Sequence, residues 1–317
     1  MTPQAIRLSA CCSANWLVLG LLVSASVGAP SARAQKDAGW DSVAAILKAP
    51  AAPTSGYVRF GFPRRDITLK VGDVSVATSM ALGSWAGFSG EPVNATMMGD
   101  LVLTSAELKP VLAEFVRQNV EVSAVHNHLA GATPEVIYVH FHARGPALDL
   151  AQRLDRVLGV TATPRPTPAA QPAQLAIDTA LVFSTLGIRG RAQGNVAQVS
   201  TVLVPGNVKL HGRWVNATMA YGTPINIQML DGGRAVATGD YTVVGLKVDP
   251  VVRALTDAGI TVTAVHSHLV GEQPQLRYIH FWADGELESV LKGLRSAIDA
   301  AKRPLVTPIV GNPKLPN

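Results

Sequence analysis

Ser123-Ala-Val-His-Asn-His-Leu129, Ala130-Gly-Ala-Thr-Pro-Glu-Val-Ile137 and Tyr138-Val-His-Phe-His142 follow one another in the first half of the chain. The stretch returns 140 residues later as Thr263-Ala-Val-His-Ser-His-Leu269, Val270-Gly-Glu-Gln-Pro-Gln-Leu-Arg277 and Tyr278-Ile-His-Phe-Trp282. His126, His128 and His140 thus recur as His266, His268 and His280. Seven of the eight histidines lie in these two windows, and only His211 stands outside. Each window reads as strand, loop, strand: β-branched and aromatic residues alternate with polar ones on either side of a proline-containing loop.

Outward from the windows, the same order of elements occurs twice. In the first half the helical candidate Trp40–Leu47 is followed by strand-like segments at 57–62, 67–71 and 74–79, with Gly72-Asp73 as a tight turn. Ala95–Leu103 reads as a further strand, broken at Gly99-Asp100. Thr104-x-x-Glu107 is a capping-box pattern, and Leu108, Val111, Leu112 and Phe115 repeat behind it at helical spacing. Leu148, Leu150, Leu154, Val157 and Leu158 mark a closing helix, repeated by Leu287, Val290, Leu291, Leu294 and Ile298. Between the copies, residues 161–174 hold four prolines and no plausible core, the composition of a semi-extended linker. The expected fold is α+β: two homologous domains at 35–160 and 175–304, each an antiparallel sheet with helices packed on one face. A proline-rich tail, 305–317, follows them.

Composition bounds what such a chain does. With 48% hydrophobic and 15% charged residues, it has material for well-formed cores. The N-terminus carries Arg7, an apolar run from Trp16 to Val27, and Ala32-Arg33-Ala34 before Gln35, the pattern of a secretory signal at 1–34 cleaved after Ala34. The run is too short to span a bilayer. Leu8-Ser9-Ala10-Cys11 is lipobox-like but precedes the apolar run, whereas a lipid-bearing cysteine follows one. Cleavage removes Cys11 and Cys12, the only cysteines, leaving a periplasmic or secreted protein without disulfide or thiolate. It also removes two arginines and no acid, lowering the formal charge from +5 to +3. That excess makes no case for nucleic acid or for an anionic membrane, so the expected partner is a small molecule, a peptide or cell-envelope material.

The chemistry expected of the windows follows from strand alternation, which puts residues i and i+2 on one face. A hairpin centred on Pro134 pairs His128 with His140 and His126 with His142; the second pairs His268 with His280 and His266 with Trp282. Val125, Ile137, Val139 and Phe141 then form the apolar face. Cross-strand neighbours lie about 4.5–5.5 Å apart at Cβ, close enough for imidazoles to meet on one ion. The metal candidates are therefore His126, His128, His140, His142, His266, His268 and His280, as one site in each half, with zinc ahead of copper or nickel as the ion. Asp100 and Asp240 are preferred to Glu135 and Glu272 as added ligand or general base, because they alone occupy equivalent positions. Gly99-Asp100 and Gly239-Asp240 also read as turns. A pseudo-two-fold packing that brings the two hairpins together is a further expectation.

The blocks Gly83-Ser84-Trp85-Ala86, Met98-Gly99-Asp100-Leu101-Val102-Leu103-Thr104 and Val122–Leu129 resemble the LppY/LpqO family. The resemblance covers nearly all of the mature chain as two copies. It implies a secreted or lipid-anchored bacterial protein built on a domain of unknown function, and it implies no activity. The His-x-His pair is also similar to that of lysostaphin-like zinc peptidases, but no His-x-x-x-Asp partner lies upstream. Three functional readings stay open: a metal-binding protein, a zinc-dependent hydrolase of peptide or envelope material with Asp100 or Asp240 as base, and a non-metal binding or scaffold module.

Overall fold

The computed structural model describes residues 32–166 and 176–304. The expected signal segment through residue 31, linker residues 167–174 and the tail lie outside the described residues. The first helix runs Ala32–Leu47, longer than the Trp40–Leu47 expected, and so takes in the end of the signal segment.

Each repeat builds a six-stranded antiparallel sheet. In the first, the spatial order is Ala52–Thr54, Tyr57–Pro63, Gly83–Glu91, Asn94–Thr104, Val136–Gly145 and Glu121–His126. The second repeats that order with Gly190–Gln193, Val196–Thr201, Thr223–Met229, Arg234–Val244, Leu276–Glu286 and Thr261–His266. Strand alternation decides which face each residue serves. Leu101, Leu103, Val139 and Phe141 point to the side covered by helices Ala32–Leu47, Ser105–Arg117 and Ala147–Leu158, and form the first core there. Helices Thr179–Leu186, Val248–Asp257 and Leu287–Lys302 cover the second sheet in the same way. Val125 and Val265 belong by alternation to the apolar faces, yet they are about half exposed, because each sits on an edge strand.

The other faces of the two sheets are turned toward each other. Val102, Val136 and Tyr138 of the first repeat share a core with Val196 and Val236 of the second. The layers therefore run helix, sheet, sheet, helix. Each repeat also sends an arm across the seam. The short helix Thr78–Ala81 of the first arm lies on the second sheet, where Asn226 Nδ2 donates to the Met80 carbonyl at 2.8 Å and Gln198 Nε2 to that of Ser79 at 2.7 Å. In return Met219, in the short helix Ala217–Ala220, packs with Met98 of the first sheet.

Gly99 and Gly239 are not turns. Each sits inside an eleven-residue strand without interruption. A Cβ at Gly99 would lie 2.3 Å from the Trp85 carbonyl oxygen and 2.4 Å from Phe141 Cζ; one at Gly239 would lie 2.1 Å from the Pro224 carbonyl oxygen. Close approach, and no unusual backbone angle, demands glycine at both positions.

Candidate functional site

The histidine strands pair in a different register from a hairpin centred on Pro134. Ala124 faces His140 and His126 faces Tyr138, with a bulge between Val122 and Ala124 that brings Glu121 opposite His142. The second repeat matches: Ala264 faces His280 and His266 faces Tyr278. The cause lies in the loop. Ala132–Thr133 pairs with Lys70 and Val71 of the arm, so the chain leaves the strand at His126 instead of continuing to His128. His128 and His268 accordingly sit in loops.

One composite cluster results, in place of one site per half. His126 and His266 meet near the pseudo-two-fold, ring centroids 4.0 Å apart and tilted by 40°. On either side of them His128 meets His280, and His140 meets His268, each at 3.7 Å. The two distances are equal because the pseudo-two-fold exchanges the pairs. Tyr138 and Tyr278 flank the rings of His128 and His268 at 3.9 and 3.7 Å. Their hydroxyls donate to the carbonyls of Ala81 and Ala220, so both tyrosines pin the arms in place. Thr263 Oγ1 donates to the His128 carbonyl, tying the two histidine segments together across the seam.

The nitrogens at the centre lack the partners that burial demands. Both ring nitrogens of His126 are buried without a hydrogen bond, as are Nε2 of His128, His140 and His266. His268 Nε2 and His280 Nε2 are 3.4 Å apart. Two nitrogens bound to one tetrahedral ion at about 2.0–2.1 Å are separated by about 3.4 Å, so this pair already stands at a ligating distance. Three overlapping sets at the cluster have their ligand atoms within 4.8 Å of one another: His126, His266, His268 and His280; His126, His128 and His140; and His128, Asp240 and His280.

Electrostatics keep His126, His128, His140, His266 and His268 in the form a metal requires. Burial lowers the pKa of His128, His140 and His268 far below the ordinary histidine value, and repulsion between neighbouring rings adds to it. For His126 burial acts first, with His140, His280 and His266 contributing. His266 is held at about 4, mainly by burial. Unprotonated imidazoles have a free lone pair.

Asp100 and Asp240 lie directly across their sheets from His140 and His280. Asp240 Oδ1 comes within 2.5 Å of His280 Nδ1 and 3.8 Å of His128 Nδ1. The hydrogen bond of His280 Nδ1 is instead with the Gly239 carbonyl, at 3.3 Å. Asp100 is 3.9 Å from His140 Nε2. Burial and the neighbouring Asp240 push its carboxyl well above the usual range. Beside the cluster opens a cavity of about 820 Å³ between the repeats, bordered by Arg59, Trp85, Asp100, His128, Asp240 and His268. The guanidinium of Arg59 stacks on Trp85 at 4.1 Å.

His142 is the expected ligand that the structure places elsewhere. It shares a face with His140 but lies two residues further along, beyond the bulge, next to Glu121 and His211. Neither of those two was anticipated. The available signal was His211-Gly212 between short polar strands, a turn dipeptide; that the turn crosses to the other repeat was not readable. Glu135 accepts hydrogen bonds from Ser105 and Asn127 at the surface, and Glu272 accepts from the Leu276 N–H within its own loop, so neither joins the cluster.

The family model described as Domain of Unknown Function (DUF1259) matches residues 41–160 and again 180–300, and the chain belongs to that family as two tandem copies. No curated protein matches it. Among solved structures, the crystal structure of EtuB from Clostridium kluyveri is similar at 12% identity, covering 79% of this chain and 90% of that one, with a TM-score of 0.19. A double ringed trimeric shell protein from the RMM microcompartment is also 12% identical, covering 68% of this chain and 85% of that one, with a TM-score of 0.17. At such scores neither likeness bears on the site.

Proposed function

We propose that this two-copy member of the DUF1259 family is an exported protein that binds a transition-metal ion through the histidine cluster between its repeats, with zinc the first choice. The observation that carries the reading is the set of buried ring nitrogens without partners on His126, His128, His140 and His266, converging from both halves beside the His268–His280 pair at 3.4 Å. An unsatisfied buried polar group costs about 1–3 kcal/mol, so several gathered at one point call for a common partner. With no thiolate, and with Asp240 beside His280 and His128, a mainly imidazole donor set suits zinc, copper or nickel. Export rests on the N-terminal segment with its expected cleavage after Ala34, which places the mature protein in the periplasm or outside the cell; the LppY/LpqO resemblance agrees with that. Among the described residues no helix is long and apolar enough to cross a membrane.

Elemental analysis of tag-free protein tests the proposal. Near-stoichiometric metal in the wild type, lost in His126→Ala/His128→Ala, is the expected result. A metal-free wild type that also ignores added zinc overturns it and leaves a scaffold or binding module.

A second reading, a zinc-dependent hydrolase, is favoured by the cavity that reaches the cluster on the side of Asp100 and Asp240. Asp100, kept protonated more readily than an exposed carboxyl, suits proton exchange with a small molecule or peptide bound there. Lack of turnover of peptide or envelope fragments by the zinc-loaded protein removes that reading and leaves the metal proposal standing, whereas turnover that survives Asp100→Asn together with Asp240→Asn removes only the aspartates as base.

A further inference from the structure

We propose a second transition-metal site, of two histidines and one carboxylate, formed by Glu121, His142 and His211 at the outer end of the seam. Their ligand atoms lie within 4.8 Å of one another. His142 Nε2 stands 3.4 Å from Glu121 Oε2, and His211 Nε2 stands 3.8 Å from the same oxygen. Ligands at about 2.0–2.2 Å on a tetrahedral ion are about 3.4 Å apart, so one pair is already spaced correctly and the other must close by a few tenths of an ångström. The His142 and His211 rings lie 5.4 Å apart at a 20° angle, in position to approach an ion from two sides.

Each ligand is held by a different element, as a preformed site requires. The β-bulge between Val122 and Ala124 sets Glu121 opposite His142. His211 comes from the second repeat. It opens the two-residue turn His211-Gly212 between Lys209–Leu210 and Arg213–Trp214, with φ of 48° and 76°, the left-handed pair of a type I′ hairpin. Holding histidine in that conformation is unfavourable relative to asparagine or glycine, yet it aims the imidazole across the seam at Glu121. Leu210 and Lys209 also pair with Glu272 and Gln273, which anchors the turn to the loop bearing His268.

His142 is nearly buried, whereas the side chains of Glu121 and His211 are 44% and 54% exposed. An ion there keeps at least one position open to solvent, unlike one enclosed by the six-histidine cluster. Among the described residues the site occurs once. The residues equivalent to Glu121 and His142 in the second repeat are Thr261 and Trp282, and the first arm turns on Gly72-Asp73. His142 follows His140 by two residues on one strand face, a separation of about 7 Å, so the outer site sits next to the inner cluster.

The test is zinc stoichiometry by equilibrium dialysis, with cobalt absorption as a second readout, on tag-free protein stripped of metal. His211→Asn keeps a residue favoured in the turn and removes the imidazole; Glu121→Gln keeps size and removes the charge. Both are made in the wild type and in the His126→Ala/His128→Ala background. The expected result is the loss of one ion equivalent from either variant in both backgrounds, with the corresponding cobalt band. Unchanged stoichiometry and spectrum in both variants overturn the proposal. Failure of the inner cluster shows up separately, as no difference between the wild type and His126→Ala/His128→Ala.

Discussion

Replacing His126 by alanine separates metal binding from mere packing, because the two act on stability with opposite consequences. The ring touches His128, His140, His266, His268 and His280, and both of its nitrogens are buried without a partner. Without metal, truncation leaves a cavity and loses contacts, at a cost comparable with other large-to-small core changes of about 2–4 kcal/mol. It also removes two unsatisfied nitrogens, each of which costs about 1–3 kcal/mol in the native state. The two effects nearly cancel, and the metal-free variant should melt within a few degrees of the wild type. With zinc at a hundredfold excess over its dissociation constant, the wild type gains about 2.7 kcal/mol. For a cooperative unit of this size that corresponds to a rise of roughly 5–10 °C. His126→Ala should lose most of that rise. The assay is a pair of thermal melts of tag-free protein, in chelator and in zinc, for both proteins. A wild type whose melting temperature ignores zinc, or a variant that keeps the full rise, refutes the reasoning. So does a variant that loses its stability equally in both conditions.

Three further outcomes follow from the same geometry. Because burial lowers the folded-state pKa of His126, His128, His140, His268 and His266, the last to about 4, the unfolded chain takes up protons first as pH falls below about 6.5. The metal-free protein should therefore lose stability between about pH 6.5 and 4, and a chemical-denaturation series in which His126→Ala/His266→Ala shows the same loss counts against it. Burial alone would raise the Glu107 carboxyl, but hydrogen bonds from Arg64 and from the N–H groups of Ala162 and Thr104 hold it below its usual range. Its contribution is present above the unfolded pKa and is lost as pH falls through the lower folded one; Glu107→Ala, which strands the fully buried Arg64 with Asp66 as its remaining acid, should cost about 3 kcal/mol or more by urea melt at neutral pH. Gly99→Ala meets a backbone oxygen and the Phe141 ring, and should destabilise by about 1–3 kcal/mol, whereas Gly61→Ala, with nothing within 4 Å, should change little. Equal melting temperatures for the two glycine variants would remove close approach as the explanation.

The duplication and its elements were legible in the chain because hydrophobic period and turn residues are local signals. Leu101, Val139 and Phe141 alternate with Asp100, Tyr138 and His140, and that alone separates the helix-covered face from the histidine face. The strand Gly83–Glu91 was not legible: its run of glycine, serine and alanine has little β-propensity, and it exists because neighbours on both sides pair with it. Gly99 looked like a break for a related reason, since a glycine required by a ring packed above it is indistinguishable, in sequence, from one that turns the chain.

Local pattern determined that imidazoles would gather on one face of each sheet. It did not determine that the two faces would meet. The hairpin register was decided by Ala132–Thr133 pairing with an arm some sixty residues earlier, and the merging of two histidine sets into one was decided by apolar residues of both sheets seeking a common core. Glu121, His142 and His211 came together for the same reason. Contacts between chain segments far apart in sequence are formed by burying shared surface, and no window of residues encodes which distant surface that will be.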